Sequence, residues 1–101
     1  MNTEAEIAVL GSVLVNPKVM EDIRDTVSSN HFVTRGTNHI WDAITWLYDN
    51  RHTIDLLMVG NVLEAEGKLE EIGGRAFLTS LINNVPSSIH AKSYAKILRD
   101  S

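Results

Sequence analysis

Residues 67–98 have the sequence GKLEEIGGRAFLTSLINNVPSSIHAKSYAKIL, which carries the pattern of two amphipathic helices. Gly73 and Gly74 lack a Cβ, so the backbone can turn sharply there before the first of these helices begins. Four apolar side chains follow at helical spacing, and at about 100° per residue they cover a single arc: Phe77, Leu78, Leu81 and Ile82. The pattern predicts a helix with one apolar face.

Another helix, the last of the chain, is predicted after Pro86. The residue before a proline avoids the helical region of backbone space, so the segment Asn84–Pro86 should end the first helix. Ser87 or Ser88 can then cap the next helix through a side-chain oxygen. The shared face of that helix carries Ala91, Tyr94, Ala95 and Leu98. The two elements predict a helix–turn–helix unit within a helical domain.

The segment from Thr3 to Val15 is predicted to be the central helix of this domain. After Glu6 nearly every residue is apolar or small, and the apolar side chains fall on more than one face. A helix that is apolar on several sides is usually buried among others. Gly11 costs helix stability, about 1 kcal/mol relative to alanine, and we attribute it to the close packing of another helix.

Two more helices are predicted before residue 50. Asn16 and Pro17 suit the N-cap and the first position of the second helix. The third helix should begin within residues 34–38 and run to about Asp49. The inner face of the second helix is predicted to carry Val19, Met20, Ile23 and Val27.

A fourth helix completes an all-α fold class. Asp55 can cap its start, and Gly67 suits the position just past its end. No strand-like alternation persists and no internal repeat is present. We therefore predict one domain over residues 1–101, a compact orthogonal bundle of about five or six short helices. The residues predicted to form its structural core include Ile7, Leu10, Gly11, Phe32, Ile40, Leu47, Gly73, Gly74, Phe77, Leu81 and Tyr94.

The composition is that of an ordinary folded domain, and it excludes several classes of protein. Hydrophobic residues make up 44% of the chain and charged residues 22%, unlike a disordered tail. The formal net charge is −4, whereas a domain that binds nucleic acid through its overall field is normally basic. The absence of cysteine suits a cytoplasmic protein. Because neither a long apolar run nor a signal-peptide pattern is present, we expect no membrane association.

Motifs for catalysis, metal binding or cofactor binding are not found, and no such residues are predicted. A phosphate-cradling loop needs a glycine five residues before its Gly-Lys pair and a serine or threonine after it. Around Gly67–Lys68 these positions hold Val62 and Leu69. The four histidines form no His-x3-His pair of the kind that binds zinc. The paired acids are predicted to lie on solvated faces rather than in a catalytic cleft: Glu4 and Glu6, Glu64 and Glu66, and Glu70 and Glu71.

Four residues are candidates for contact with a partner: Trp46, Lys92, Lys96 and Arg99. Trp46 lies off the apolar arc of its helix, so it either folds over the rim of the core, packs on Val9 and Val13, or stands partly exposed as a protein contact. Tryptophan is enriched among the residues that dominate interface energy. The three cations form one stripe of the last helix, which either contacts phosphates or an acidic partner or is a solvated face that favours the helix C-terminus.

An ordered set of residues extends along nearly the whole chain: Glu4-Ala5-Glu6, Leu10-Gly11, Phe32, His39-Ile40-Trp41, Ile54-Asp55, Leu69, Gly73-Gly74, Phe77-Leu78, Leu81, Val85-Pro86-Ser87, Tyr94-Ala95 and Ile97. In this order the set resembles the amino-terminal domain of DnaB-type replicative DNA helicases. No single piece is a catalytic signature, so the specificity of the resemblance comes from the order of the whole set.

The resemblance implies a non-catalytic protein-interaction domain. In that family the domain forms part of the collar of a homo-hexameric helicase and contacts primase and, in some systems, a helicase loader. It implies ATP and Mg only in a separate motor domain of the parent protein, and little direct binding of nucleic acid here. The last helix carries no stop signal before residue 101, so we expect a longer parent chain.

Two alternatives come from other classes of protein. One is the helicase-binding domain of a primase, which resembles this fold; a phosphate-binding motor following residue 101 would exclude it. The other is a small nucleic-acid-binding helical domain that uses the three cations of the last helix. A salt titration with single-stranded DNA tests the second alternative, because phosphate contacts give steep salt dependence.

Overall fold

Helices make up all the regular structure in a computed structural model that describes residues 2–85 and 87–101. Within these residues the α-helices are α1 Thr3–Val15, α2 Met20–Ile23, α3 Thr37–Asp49, α4 Leu56–Ala65, α5 Gly74–Asn83 and α6 Ala91–Asp100. Short 3-10 turns lie at Pro17–Val19, Ser29–His31 and Ser88–His90. The predicted all-α class is confirmed. None of the described helices has both the length and the apolar character needed to cross a membrane.

The helix α1 is the centre of the bundle, as predicted. Of its residues from Ala5 to Leu14, all but Ile7 are buried, and the helix contacts α3, α5 and α6. A helix can be buried on so many sides only if its neighbours approach from several directions. The other elements are therefore arranged around α1, and each has an outer face available to solvent.

The second helix is shorter than predicted. A 3-10 turn at Pro17–Val19 leads into the single turn of α2, which ends at Ile23 instead of continuing to Val27. Asn16 occupies the predicted cap position, but its side chain makes no cap hydrogen bond, so that part of the prediction was wrong. Asn16 also ends α1, where its N–H donates to the Ser12 carbonyl. The inner face was predicted correctly, since Val19, Met20, Ile23 and Val27 are all buried.

The caps of α4 and the cap before α6 agree with the sequence. The Asp55 carboxylate accepts from the Met58 N–H at 2.8 Å, and Gly67 has the left-handed φ of +69° that a residue past a helix end adopts. Ser87 accepts from the Ile89 N–H at 3.3 Å. Pro86, which was predicted to stop α5, lies outside the described residues.

Five residues of the predicted core are not buried: Ile7, Gly73, Gly74, Phe77 and Tyr94. Gly73 is exposed and Gly74 is partly exposed, and both have positive φ, +106° and +73°. They therefore provide the turn into α5 rather than core volume. Phe77 and Tyr94 are only partly buried at the edge of the core. On α5 the rotation of the helix points Leu78 and Leu81 fully inward instead, and Phe77 packs over the turn at Gly73.

Gly11 lies where α1 and α5 approach most closely. A Cβ at this position would clash with the Leu81 carbonyl oxygen and would lie 3.1 Å from the Val85 Cβ. The carbonyl belongs to the α5 backbone, which cannot move aside like a flexible side chain. Close packing of another helix, the reason inferred for this glycine from the sequence, is confirmed.

Glu6 contradicts its predicted place on a solvated face, because its side chain is fully buried. The backbone N–H groups of Val33 and Thr34 donate to its carboxylate at 3.2 and 3.1 Å. The Thr37 hydroxyl, also buried, donates to the same carboxylate. A buried charge is tolerated when its oxygens are hydrogen-bonded in this way. The carboxylate thus joins α1 to the first turn of α3.

We predict that Glu6→Ala lowers the free energy of unfolding by about 3 kcal/mol or more, because it leaves the part-buried N–H groups of Val33 and Thr34 without their acceptor. Chemical denaturation followed by circular dichroism measures the effect. Glu4→Ala is the matched control, since Glu4 lies in the same helical turn and is exposed; it should change stability by less than about 0.5 kcal/mol. Equal effects of the two substitutions would contradict the role given to the Glu6 carboxylate.

Gly11→Ala should destabilise the domain by about 1–2 kcal/mol, since the overpacking against α5 exceeds the gain in helix propensity. The control is the next residue, Ser12, whose buried hydroxyl has no hydrogen-bond partner among the described residues. Ser12→Ala should therefore be neutral or stabilising by up to about 1 kcal/mol. The same denaturation experiment compares them, and a more stable Gly11→Ala variant would disprove the close approach.

Candidate protein-interaction surface

The helix α3 carries two tryptophans with opposite environments. They lie five positions apart, which at 100° per residue separates them by about 140° around the helix axis. Trp41 is 2% exposed and stacks on Phe32 with ring centroids 5.2 Å apart. Trp46 is 51% exposed. Of the three placements considered from the sequence, this exposure agrees with a partly exposed Trp46.

The Trp46 ring is held by the turn that follows α3. There Arg51 adopts a left-handed φ of +59°, and the His52 N–H donates to the Leu47 carbonyl at 2.8 Å. These features close the helix end in the manner of a Schellman motif. The turn brings the His52 ring under Trp46 in a stacked pair with centroids 5.3 Å apart. The exposed indole is therefore supported from one side and open on the other.

Trp46 lines a surface groove between α3 and α4, which we call the Trp46 groove. Its volume is about 480 Å³, and its lining consists of Asp42, Trp46, Val62, Ala65 and Glu66. The apolar part of this lining, which we call the floor, consists of the indole, the valine and the alanine, and the remaining two residues contribute carboxylates. An exposed aromatic residue beside apolar and charged groups is typical of a protein contact. Glu66 was predicted to be solvated, and the sequence alone did not place it or Val62 beside Trp46.

The three cations of α6 form a separate surface together with Ile89 of the preceding 3-10 turn. We call these four residues, Ile89, Lys92, Lys96 and Arg99, the basic stripe. All four side chains are exposed, and Ile89 is 83% exposed. Arg99 donates to Asp100 at 3.0 Å, and this hydrogen bond lowers the pKa of the Asp100 carboxyl. Because Arg99 is already paired, most of the unbalanced charge of the stripe comes from the two lysines.

The structure does not bring the four candidate contact residues together. The basic stripe belongs to α6, which packs on α1 and α2, whereas the Trp46 groove is formed by α3 and α4. A further groove of about 470 Å³ runs between α1 and α6 and includes Ile7, Tyr94 and Ile97 in its lining. It explains why Ile7 and Tyr94, both predicted to be core residues, are only partly buried.

Two side-chain contacts on the outer surface join segments that are far apart in the sequence. Arg24 makes two hydrogen bonds to Asp49 at 3.1 and 2.9 Å, which raise the pKa of Arg24 and lower that of Asp49. His39 Nε2 lies 2.7 Å from a Glu71 carboxylate oxygen. Within residues 2–85 and 87–101, no three histidine or acidic side chains are grouped so as to hold a metal ion.

Comparison with known proteins identifies the family of this chain. The family model for the DnaB-like helicase N-terminal domain matches residues 1–100. Replicative DNA helicase DnaB of Haemophilus influenzae is 34% identical over 99 residues, which cover 98% of this chain and 21% of the helicase. The chain therefore spans about a fifth of the length of that relative.

Solved structures show the same fold. The N-terminal domain of DnaB helicase from Mycobacterium tuberculosis superimposes with a TM-score of 0.94 at 30% identity, over 99% of this chain and 69% of that chain. A DnaB-like replicative helicase, whose structure was determined together with its interactions with primase, gives a TM-score of 0.85 at 25% identity, over 98% of this chain and 23% of that chain. The chain belongs to the family of DnaB-like helicase N-terminal domains.

The two tryptophans provide a test of this surface. We predict that Trp46→Ala changes the free energy of unfolding by less than about 1 kcal/mol, because the ring covers little of the core. Trp41→Ala should cost about 3–5 kcal/mol, as expected for a buried aromatic residue. Denaturant titrations of both variants measure the difference. Comparable losses of stability would place Trp46 in the core and remove it from the candidate contacts.

Proposed function

We propose that this chain is the non-catalytic interaction domain of a replicative DNA helicase, where it contributes to the collar of a hexamer and contacts primase. Membership of the family and the resemblance to a helicase studied with primase support this proposal. ATP and Mg would act only in a separate motor domain, and a helicase loader is a further candidate partner. The primase alternative is less well supported, because the matched family and relatives are helicases.

The exposed Trp46 carries the proposal about contact. A tryptophan that is half exposed and stacked on His52 presents a large apolar surface, and its side chain has few rotatable bonds. The groove beside it adds an apolar floor and two acidic groups. Residues of this kind dominate binding energy when a partner excludes water from them. The Trp46 groove is therefore the surface that we assign to a protein partner.

Direct binding of nucleic acid is not the function that this geometry favours. The net charge of the chain is −4, and the carboxylates of the Trp46 groove would repel phosphates. Single-strand binding combines a basic groove with aromatic side chains on which bases stack. Here the exposed tryptophan and the exposed lysines lie on different helices.

We expect Trp46→Ala to weaken binding of the chain to the primase of the same organism by about 30-fold or more, the Kd equivalent of a 2 kcal/mol hot spot. Isothermal titration calorimetry measures this affinity. Leu57→Ala is the matched control, because Leu57 is 63% exposed on α4 but does not line the Trp46 groove; its Kd should be unchanged. If both variants bind like the unmodified chain, the groove is not the primase contact. If the unmodified chain does not bind primase, the primase part of the proposed function is wrong.

A further inference from the structure

The Trp46 groove lies between the C-terminal ends of two helices. Trp46 belongs to the last turn of α3, while Val62, Ala65 and Glu66 belong to the last turn and the cap of α4. The carbonyl groups at a helix C-terminus together carry about half an elementary negative charge. Neither helix has a basic residue in its last turn to balance that charge. The backbone alone therefore makes the potential in the groove negative.

Two carboxylates add to this negative potential. Asp42 and Glu66 both line the groove, and neither takes part in an ion pair among the described residues. Arg51 and Lys68 follow the two helix ends in the sequence, but neither of them lines the groove. The groove is therefore complementary to an occupant that carries a positive charge.

The ring of Trp46 favours a particular shape of cation. The electron-rich face of an indole attracts a cation that lies within about 6 Å of the ring centre. One face of the ring is covered by His52, with 19° between the two planes, so a flat group has the other face for stacking. Asp42 precedes Trp46 by four positions, which places their Cβ atoms about 5–6 Å apart on one face of α3. A planar cation stacked on the indole is thus within reach of the Asp42 carboxylate.

These features fit a guanidinium group better than an ammonium group. A guanidinium group is planar and weakly hydrated, so it stacks on an aromatic ring and still donates hydrogen bonds from its edge to carboxylates. An ammonium group is a compact, strongly hydrated charge, so it loses more solvation beside an apolar floor. The floor of the groove also provides a surface on which the aliphatic part of an arginine side chain packs.

We propose that the Trp46 groove binds an arginine side chain of a protein partner, with the guanidinium group stacked on the indole and hydrogen-bonded to Asp42 and Glu66. The volume of about 480 Å³ is within the range of clefts that bind small ligands, so the groove has room for a whole arginine side chain. This inference rests on the proposed function, because it names the chemical group by which the groove recognises its protein partner.

A small probe tests this recognition without any partner protein. Acetyl-arginine amide is titrated into the ¹⁵N-labelled chain at pH 8 and constant ionic strength, and the indole and backbone N–H signals are followed by NMR. We expect saturable shifts at Trp46 and the residues around it, with a Kd of about 10 mM or tighter. The neutral isostere acetyl-citrulline amide should give no saturable shift, and acetyl-lysine amide should bind about threefold or more weakly.

Isosteric variants of the chain separate charge from apolar packing. Asp42→Asn with Glu66→Gln removes two negative charges with little change of shape, and it should weaken binding of both the arginine probe and primase by at least about 10-fold. Trp46→Leu keeps an apolar side chain but removes the aromatic face, and it should weaken binding of the probe by about threefold or more. The matched control is Glu21→Gln with Asp22→Asn, which removes the same charges from α2, a helix that contributes no lining residue; it should bind like the unmodified chain.

The arginine site and the primase contact fail in different ways. Equal binding of the arginine and citrulline probes, or unchanged binding of arginine by the isosteric carboxylate variant, overturns the arginine site. If primase binding is lost in Trp46→Ala but unchanged in the carboxylate variant, the groove remains the primase contact and the arginine inference is wrong. If the arginine probe binds as expected but primase does not bind, the primase part of the proposed function is wrong and the arginine site is retained.

Discussion

The buried carboxylate of Glu6 is the interaction on which the arrangement of the other helices depends. It lies in the first turns of the central helix α1, and its partners are the backbone of residues 33–34 and the hydroxyl of Thr37. Those partners immediately precede or begin α3, so the hydrogen bonds fix where α3 starts and how it is rotated against α1. That rotation directs Trp41 into the core and Trp46 to the surface. A buried acid that would be costly alone thereby positions the candidate interaction surface.

The central position of α1 also determines where a partner can bind. Because α1 is enclosed by its neighbours, and Gly11 allows α5 to approach to contact distance, little of α1 remains for recognition. Most of the large exposed apolar side chains lie instead on the surrounding elements, at Val33, Trp46, Leu57, Ile89 and Ile97, and α1 contributes Val15 at its end.

The net charge of −4 does not describe these faces. Acidic groups border the apolar floor of the Trp46 groove, while α6 presents two lysines that lie in no described ion pair. Electrostatic complementarity acts over about one Debye length, roughly 8–10 Å at physiological salt, so local charge decides which surfaces can meet. The overall negative charge argues against general phosphate binding, and the local pattern favours protein contacts.

The sequence by itself determined the class of fold, the bounds of α1, the approximate start of α3, and the caps at Asp55 and Gly67. These depend on helical periodicity and on hydrogen bonds between residues a few positions apart, which are local properties of the chain. The ordered set of residues along the chain was also enough to identify the family.

Tertiary structure alone decided that Glu6 is buried, that Phe77 lies at the edge of the core, and that Val62 and Glu66 stand beside Trp46. Burial depends on which neighbour covers each face, and a small rotation of a helix exchanges one inward side chain for the next. A pattern of spacing gives the face of a helix but not the element that packs against it.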